Sequence, residues 1–247
     1  MNRKLVAAIA CRNMSSRLYA KPLNYLDIKN KITVLDFIIS RLKKQKSINE
    51  IVLGISNKIE NKIYIDIAKK FKIKYILGDD HNVLSRLIKC GKLSKATDIF
   101  RITSESPFTF LDNLNHTWSS HQKLNYDASF LDDVIDGCGY EIINLKSLII
   151  SNKKGSSLDR SELCTRYIRK NKTKFKIKYI QAPKYLKSKK YRLTIDYPED
   201  LILCRKVYKL VSLNNINFKR ITKFISQKNN KELISRFVKS GYKNMYL

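Results

Sequence analysis

The run Ile51-Val52-Leu53-Gly54-Ile55 restricts the folds open to this chain more than any other stretch. It has no polar face, so a strand here must be covered on both sides, as in a parallel sheet with helices above and below. Its surroundings fit that arrangement. Leu5–Ala10 forms a second apolar strand. Val34, Leu35, Ile38, Ile39 and Leu42 recur at helical spacing after Thr33, a residue suited to an N-cap. Ile59, Ile63, Ile67 and Phe71 mark the next helix, followed by a strand near 73–77 and a helix over 82–92. Asp98–Ile102 reads as a strand that stops before Pro107. A helix over 111–121 and strands near 126–130 and 140–144 come after it. Residues 158–170 read as helical, and 175–181 and 191–195 as extended. A helix from Tyr197 is capped by Asp196 or a neighbour, and the tail holds one or two amphipathic helices. Strands that alternate with helices predict a layered α/β fold.

At 247 residues the chain suits one domain. No internal repeat or domain boundary is visible across 1–247, and residues 130–190 are the place for a flap or dimerisation excursion. No apolar run approaches the ~20 residues needed to span a bilayer. The opening Met1-Asn2-Arg3-Lys4 before Leu5–Cys11 faintly imitates a secretion signal. The apolar stretch is short and runs into Arg12, so a first buried strand is the reading adopted and a signal the alternative. The five cysteines are scattered, odd in number and without CxxC spacing, which predicts reduced thiols in a cytoplasmic protein.

Lysine and arginine outnumber acids by 50 to 21, a net charge of +29. Such an excess can mark a nucleic-acid partner. Here the lysines alternate with apolar residues in Lys174-Phe175-Lys176-Ile177-Lys178-Tyr179 and again in Phe71-Lys72-Ile73-Lys74-Tyr75. Alternation of that kind solvates one strand face and buries the other, so no specific nucleic-acid partner is expected.

Three constellations can carry chemistry. Arg12, Ser15, Ser16, Arg17 and Lys21 crowd the loop after the first strand, and ligands of α/β sheets bind at the carboxyl ends of strands. A polyphosphate there requires fixed positive charge; an ordinary basic loop is the alternative. Arg101-Ile102-Thr103-Ser104-Glu105-Ser106-Pro107 ends another strand. Glu105 can be a ligand for Mg²⁺, a hard cation that takes oxygen donors, or an ordinary loop carboxylate. In Leu193-Thr194-Ile195-Asp196-Tyr197-Pro198-Glu199-Asp200, the proline and the last two acids suit the first turn of a helix. Asp196 is either a cap, a ligand or both.

The stretch Ala10-Cys11-Arg12-Asn13-Met14-Ser15-Ser16-Arg17-Leu18-Tyr19-Ala20-Lys21-Pro22-Leu23 resembles the opening loop of the CMP-sugar synthetase superfamily. That group includes the 3-deoxy-manno-octulosonate and acylneuraminate cytidylyltransferases. The spore-coat polysaccharide branch fits better still. Its further signatures resemble Gly78 through Arg86, Arg101 through Pro107, Asp136-Gly137 with Glu141, Thr165 with Tyr167-Ile168, and Leu193 through Leu201. The resemblance runs in order from about residue 4 to 210. It implies a three-layer α/β/α fold like that of the nucleotide-diphospho-sugar transferases, Rossmann-like, with a mostly parallel mixed sheet. It also implies a homodimer that moves CMP from CTP onto a sugar or sugar-acid acceptor for surface glycans.

By position, Ala10, Arg12, Ser15, Ser16, Arg17, Lys21, Arg86 and Glu105 would bind the nucleotide. Arg12 and Lys21 would be catalytic, and Glu105 and Asp196 would hold Mg²⁺. Four positions depart from the family pattern. Tyr19-Ala20 replaces Pro-Gly, Glu105 replaces an aspartate, and Leu163 stands where the branch commonly has histidine.

Overall fold

The computed structural model describes residues 3–211 and 216–227. Its elements, in chain order, are β1 (Leu5–Cys11), β2 (Tyr25–Asp27), β3 (Ile32–Thr33), α1 (Val34–Leu42), β4 (Glu50–Ser56) and α2 (Ile63–Lys70). Next come β5 (Lys74–Gly78), α3 (Val83–Leu93), β6 (Asp98–Thr103), α4 (Leu114–Lys123), β7 (Ala128–Leu131) and β8 (Tyr140–Asn144). The rest are α5 (Leu145–Lys154), α6 (Ser157–Arg160), α7 (Arg166–Lys170), β9 (Ile177–Tyr179), α8 (Pro198–Tyr208) and α9 (Phe218–Ile225).

Seven strands form one sheet in the order β5-β4-β1-β6-β8-β7-β9, and β2 pairs with β3 in a separate ribbon. Only β8 runs against its neighbours within this sheet. The sheet is therefore mostly parallel and mixed, with helices on both faces. Side-chain alternation along β1 separates the two cores. Leu5, Ala7, Ile9 and Cys11 join Leu35 and Ile39 of α1, while Val6 and Ala8 join Leu84 and Leu87 of α3. β1 and β4 are buried almost throughout, as their unbroken apolar runs require. The lysine-alternating stretches lie at the two outer strands, β5 and β9. There the exposed Lys174, Lys176 and Lys178 alternate with buried Phe175 and half-buried Ile177, and charge along an edge discourages a further strand from pairing.

Local signals explain most boundaries. Thr33 caps α1 by accepting from Asp36 N at 3.0 Å, and Asp36 answers by accepting from Thr33 N at 3.0 Å. Such a cap contributes about 1 kcal/mol. Four expectations change. Residues 158–170 are two short helices, α6 and α7, because the chain leaves the helix over Ser161–Thr165, where the Glu162 carbonyl accepts from Arg101 of β6 at 2.7 Å. Residues 191–195 contribute only a bridge between Arg192 and Asp136, since their extended backbone spans a loop and not the sheet. α5 was not foreseen, its apolar residues being few. In α2 the buried residues are Tyr64 and Ala68, whereas Ile59 and Ile63 are exposed. The tail expectation is met in α9, and the remainder of that tail lies outside the described residues.

No helix among the described residues is long and apolar enough to cross a membrane. All five cysteines are buried and unpaired.

Candidate active site

The loop after β1 is held from beneath. Asn13 N donates to Asn61 Oδ1 at 2.7 Å, and Asn13 Nδ2 donates to the Glu60 carbonyl at 2.6 Å. Ala20 N then closes the loop onto the Asn13 carbonyl at 2.8 Å. To do so Ala20 takes φ 50 and ψ 42, a left-handed conformation that an L-residue adopts at a cost. Lys21–Leu23 follow as a single 3-10 turn, with Pro22 in its first turn.

Arg86 from α3 lies under this loop, 1% exposed, and donates through one nitrogen to the carbonyls of Cys11 at 3.0 Å and Gly54 at 2.9 Å. It ties the ends of β1 and β4 together while still bordering the space above. Gly78 makes room for it, because a Cβ there would sit 2.7 Å from Arg86 Cγ.

Two adjoining hollows of about 230 Å³ each open at the carboxyl ends of β1 and β6. The first is bounded by the loop and includes Ala10, Arg12, Ser15, Ser16, Arg17, Lys21, Arg86 and Glu105. The second lies between β6, the turn into β8 and the 192–196 segment, and takes in Asp136, Leu163, Thr194 and Asp196. Arg17, Arg101, Ile102, Thr103, Glu105 and Glu162 border both. Eight of the nine residues that sequence reasoning singled out therefore surround the first hollow. Asp196 faces it through its partners: Oδ1 accepts from Lys21 Nζ at 2.6 Å and lies 2.8 Å from Arg17. Its other oxygen lies 3.6 Å from Arg192.

Asp196 does not cap α8. That task falls to Asp200, whose Oδ2 accepts from the backbone N–H groups of Asp196 and Tyr197, each at 2.8 Å. Arg192 also donates to Asp200. With the helix end satisfied, the Asp196 side chain is left to face the hollows.

Glu105 meets this segment through the backbone: Ile195 N donates to the Glu105 carbonyl at 3.0 Å. Burial pushes the Glu105 carboxyl up, Lys21 opposes that shift, and the charge of Asp196 adds to it. Ser104 Oγ donates to Glu105 at 3.1 Å. No group of three or more His, Cys, Asp and Glu among the described residues is arranged to hold a metal. Two neighbouring carboxylates still suit Mg²⁺, which commonly takes one or two and completes its shell with substrate phosphates and water. A carboxyl that burial disfavours in its charged form is one that a cation would relieve.

Several acids at the site carried no assigned role in the sequence, although Asp136-Gly137 and Glu141 stood among the signatures of the resemblance. Asp136 borders the second hollow, and burial pushes its carboxyl up to about 6 against the pull of Arg192. Gly137 beside it has φ 87, and a Cβ there would lie 2.5 Å from Thr194 N, so only glycine lets this turn pack on the 192–196 segment. Glu141 bonds Arg101 at 2.7 Å and Arg169 at 2.8 Å, and Arg169 also grips Asp132 at 2.5 and 3.0 Å. Burial opposes the charge on Glu141, yet the two arginines hold its carboxyl down at about 2. Glu162 lies 3.5 Å from Arg12. Asp132 and Glu162 left no local signal, because the arginines they meet come from elsewhere in the chain.

The cytidylyltransferase sequence model matches residues 6–236. The chain is 27% identical over 224 residues to the uncharacterized protein MJ1063 of Methanocaldococcus jannaschii, covering 91% of each. It is 27% identical over 205 residues to the spore coat polysaccharide biosynthesis protein SpsF of Bacillus subtilis, covering 81% of this chain and 84% of that one. Among solved structures, a cytidylyltransferase from Leptospira borgpetersenii serovar Hardjo-bovis superposes with a TM-score of 0.82 at 22% identity, over 95% of this chain and 98% of that one. A CMP:2-keto-3-deoxy-manno-octonic acid synthetase complexed with CTP gives 0.60 at 14% identity, over 84% and 99%. The architecture is thus the nucleotidyltransferase α/β fold, and with a match across nearly its whole length the chain belongs to the cytidylyltransferase family.

Proposed function

We propose that the protein transfers CMP from CTP to a hydroxyl of a sugar or sugar-acid acceptor, releasing pyrophosphate, in the synthesis of surface glycans. The observation that carries this is the pair of adjoining hollows, one edged by loop cations and the other by carboxylates, with Arg17 and Glu105 between them. CTP would occupy the first hollow, its triphosphate against Arg12, Arg17 and Lys21. The acceptor would occupy the second, so that its oxygen meets the α-phosphorus across the shared wall. Holding both substrates in one geometry removes much of the entropic barrier, and fixed cations stabilise charge on the departing pyrophosphate.

Lys21 and Arg17 rest on Asp196 in this structure. An incoming triphosphate gives them a second anion, so in this reading the loop cations turn toward phosphate as CTP arrives. Glu105 and Asp196 would then hold Mg²⁺, whose contribution is to neutralise the phosphate oxygens near the reacting phosphorus. The family and the name of the B. subtilis relative support the activity and the glycan role. Unpaired thiols throughout the described core accord with a reducing, cytoplasmic setting, and a homodimer is the proposed assembly.

Thermal melting with each nucleoside triphosphate and Mg²⁺, alongside pyrophosphate release, tests the reading. CTP should raise the melting temperature markedly more than UTP or ATP, because only the folded chain presents the loop. Equal shifts with all four would leave a polyphosphate site and remove the cytosine assignment.

A further inference from the structure

The three cations of the loop after β1 each rest on an acid of the protein itself, which bears on how CTP enters, given the cytidylyltransferase reading on which this inference rests. Lys21 Nζ donates to Asp196 Oδ1 at 2.6 Å, and Arg17 reaches the same oxygen at 2.8 Å. Arg17 also sets its guanidinium 5.5 Å from the centre of the Tyr197 ring. Arg12 lies 3.5 Å from Glu162. These seats differ in strength. The side chains of Lys21 and Asp196 are 9% and 11% exposed, where water screens charge poorly, whereas Glu162 is 73% exposed and its pair contributes little. Asp196 also has a second arrangement within reach. Its Oδ2 lies 3.6 Å from Nη1 of Arg192, a buried nitrogen with no hydrogen-bond partner among the described residues. Arg192 is 3% exposed and donates to Asp200, so it stays when the loop cations move. A small turn of the Asp196 carboxylate would then complete the bond to Nη1 and free Oδ1.

We propose that Asp196 is the resident anion of the triphosphate site, a stand-in for phosphate that holds Lys21 and Arg17 until a metal-complexed triphosphate displaces it. A bare triphosphate has to break both contacts and leaves the carboxylate with Arg192 alone. A bare divalent cation meets an oxygen that two cations already share. When both ligands arrive, Lys21 and Arg17 turn to phosphate and Asp196 turns to the cation, so neither partner of the broken pairs is left uncompensated. Each ligand therefore strengthens the binding of the other, and the coupling is reciprocal. As pyrophosphate departs, the exchange runs backward and Asp196 recovers the two loop cations.

The test measures the affinity of the full chain for CTP by calorimetry, in EDTA and in Mg²⁺. Without metal, Asp196→Asn should bind CTP about 10-fold more tightly than the unmodified protein, a factor usual for coupled sites. With Mg²⁺ the order should reverse, because the variant has lost a ligand. On a Lys21→Met background the same change should give a metal-free gain of only about threefold, since one of the two freed cations is missing. Glu162→Gln should alter metal-free affinity by about twofold at most. Metal-free affinity in Asp196→Asn no tighter than in the unmodified protein overturns the proposal. A gain that Lys21→Met leaves undiminished, or that Glu162→Gln matches, also overturns it, since Asp196 would then act only by repelling phosphate. Circular dichroism reports whether Asp196→Asn folds. If it does not, Lys21→Met alone decides: its nucleotide-free form should bind Mn²⁺ about 10-fold more tightly than the unmodified protein, and an unchanged Mn²⁺ affinity refutes the exchange. Failure of the unmodified protein to bind CTP even with Mg²⁺ would instead defeat the cytidylyltransferase reading itself.

Discussion

Ala20 is the residue at which a single change should separate backbone strain from every other contribution. It occupies φ 50, ψ 42, with its N–H bonded to Asn13 and its carbonyl accepting from Leu23 N at 2.9 Å and Asn24 Nδ2 at 3.1 Å. Bonds on both sides hold it there. A left-handed L-residue costs about 1–2 kcal/mol, which Ala20→Gly would remove. Glycine returns about 0.4–1 kcal/mol of that through the freedom of the unfolded chain. The half-buried methyl takes back a further few tenths, being one carbon only partly removed from water. The net stabilisation is about 0.5 kcal/mol, or about 1–2 °C in melting temperature for a chain of this size.

Ala20→Val supplies the opposite sign. A β-branched side chain in the same conformation is a genuine outlier, and the substitution should cost about 1 kcal/mol or more. Calorimetry on the nucleotide-free proteins should therefore rank Gly above Ala above Val. If glycine lowers stability, or valine matches alanine, the loop does not hold Ala20 left-handed in solution and the strain argument fails.

Glu105→Gln and Asp196→Asn preserve shape while withdrawing a charged oxygen. Each should lower turnover by about 10²-fold or more, with partial recovery in Mn²⁺, and Glu105→Asp should be tolerated; full activity in Asp196→Asn would reduce that residue to a counter-charge for Lys21. Asp136 is held at about 6 in the fold against an ordinary 3.8, so between those values the unfolded chain loses its proton first and stability falls as pH rises. Asp136→Asn should thus raise the melting temperature at pH 7.5 by the equivalent of about 1–2 kcal/mol, allowing for the carboxyl's partial access to water, and change little near pH 4; equal increments at both would contradict the burial argument.

Much of the architecture was legible locally. The apolar runs at 5–10 and 51–55 specify strands covered on both faces, because period-2 burial with no polar member admits no solvent side. Thr33 with Asp36, and Pro198 with Asp200, announce helix starts through groups within four residues of one another. The lysine alternation that accounts for part of the charge marks the outer strands for the same reason. The apolar stripe Ile59, Ile63, Ile67 and Phe71 has the right period, yet Tyr64 and Ala68 are the residues α2 buries, since which helix face meets the sheet depends on the neighbours it packs against.

Amino-acid order alone therefore determined the α/β alternation, the cationic loop after β1 and the strand-end position of Glu105. Tertiary structure decided which charges meet. Lys21 and Asp196 are 175 residues apart and 2.6 Å in space, a contact no periodicity encodes. Asp200 rather than Asp196 caps α8, which turns the Asp196 side chain toward the loop cations. The acidic second hollow exists because β8 runs against β6, setting Glu141 beside Arg101, and because Gly137 lets its turn close on Thr194. A charge owes its effect to its distance from other charges and from water, and strand order and burial fix both only once the whole chain has folded.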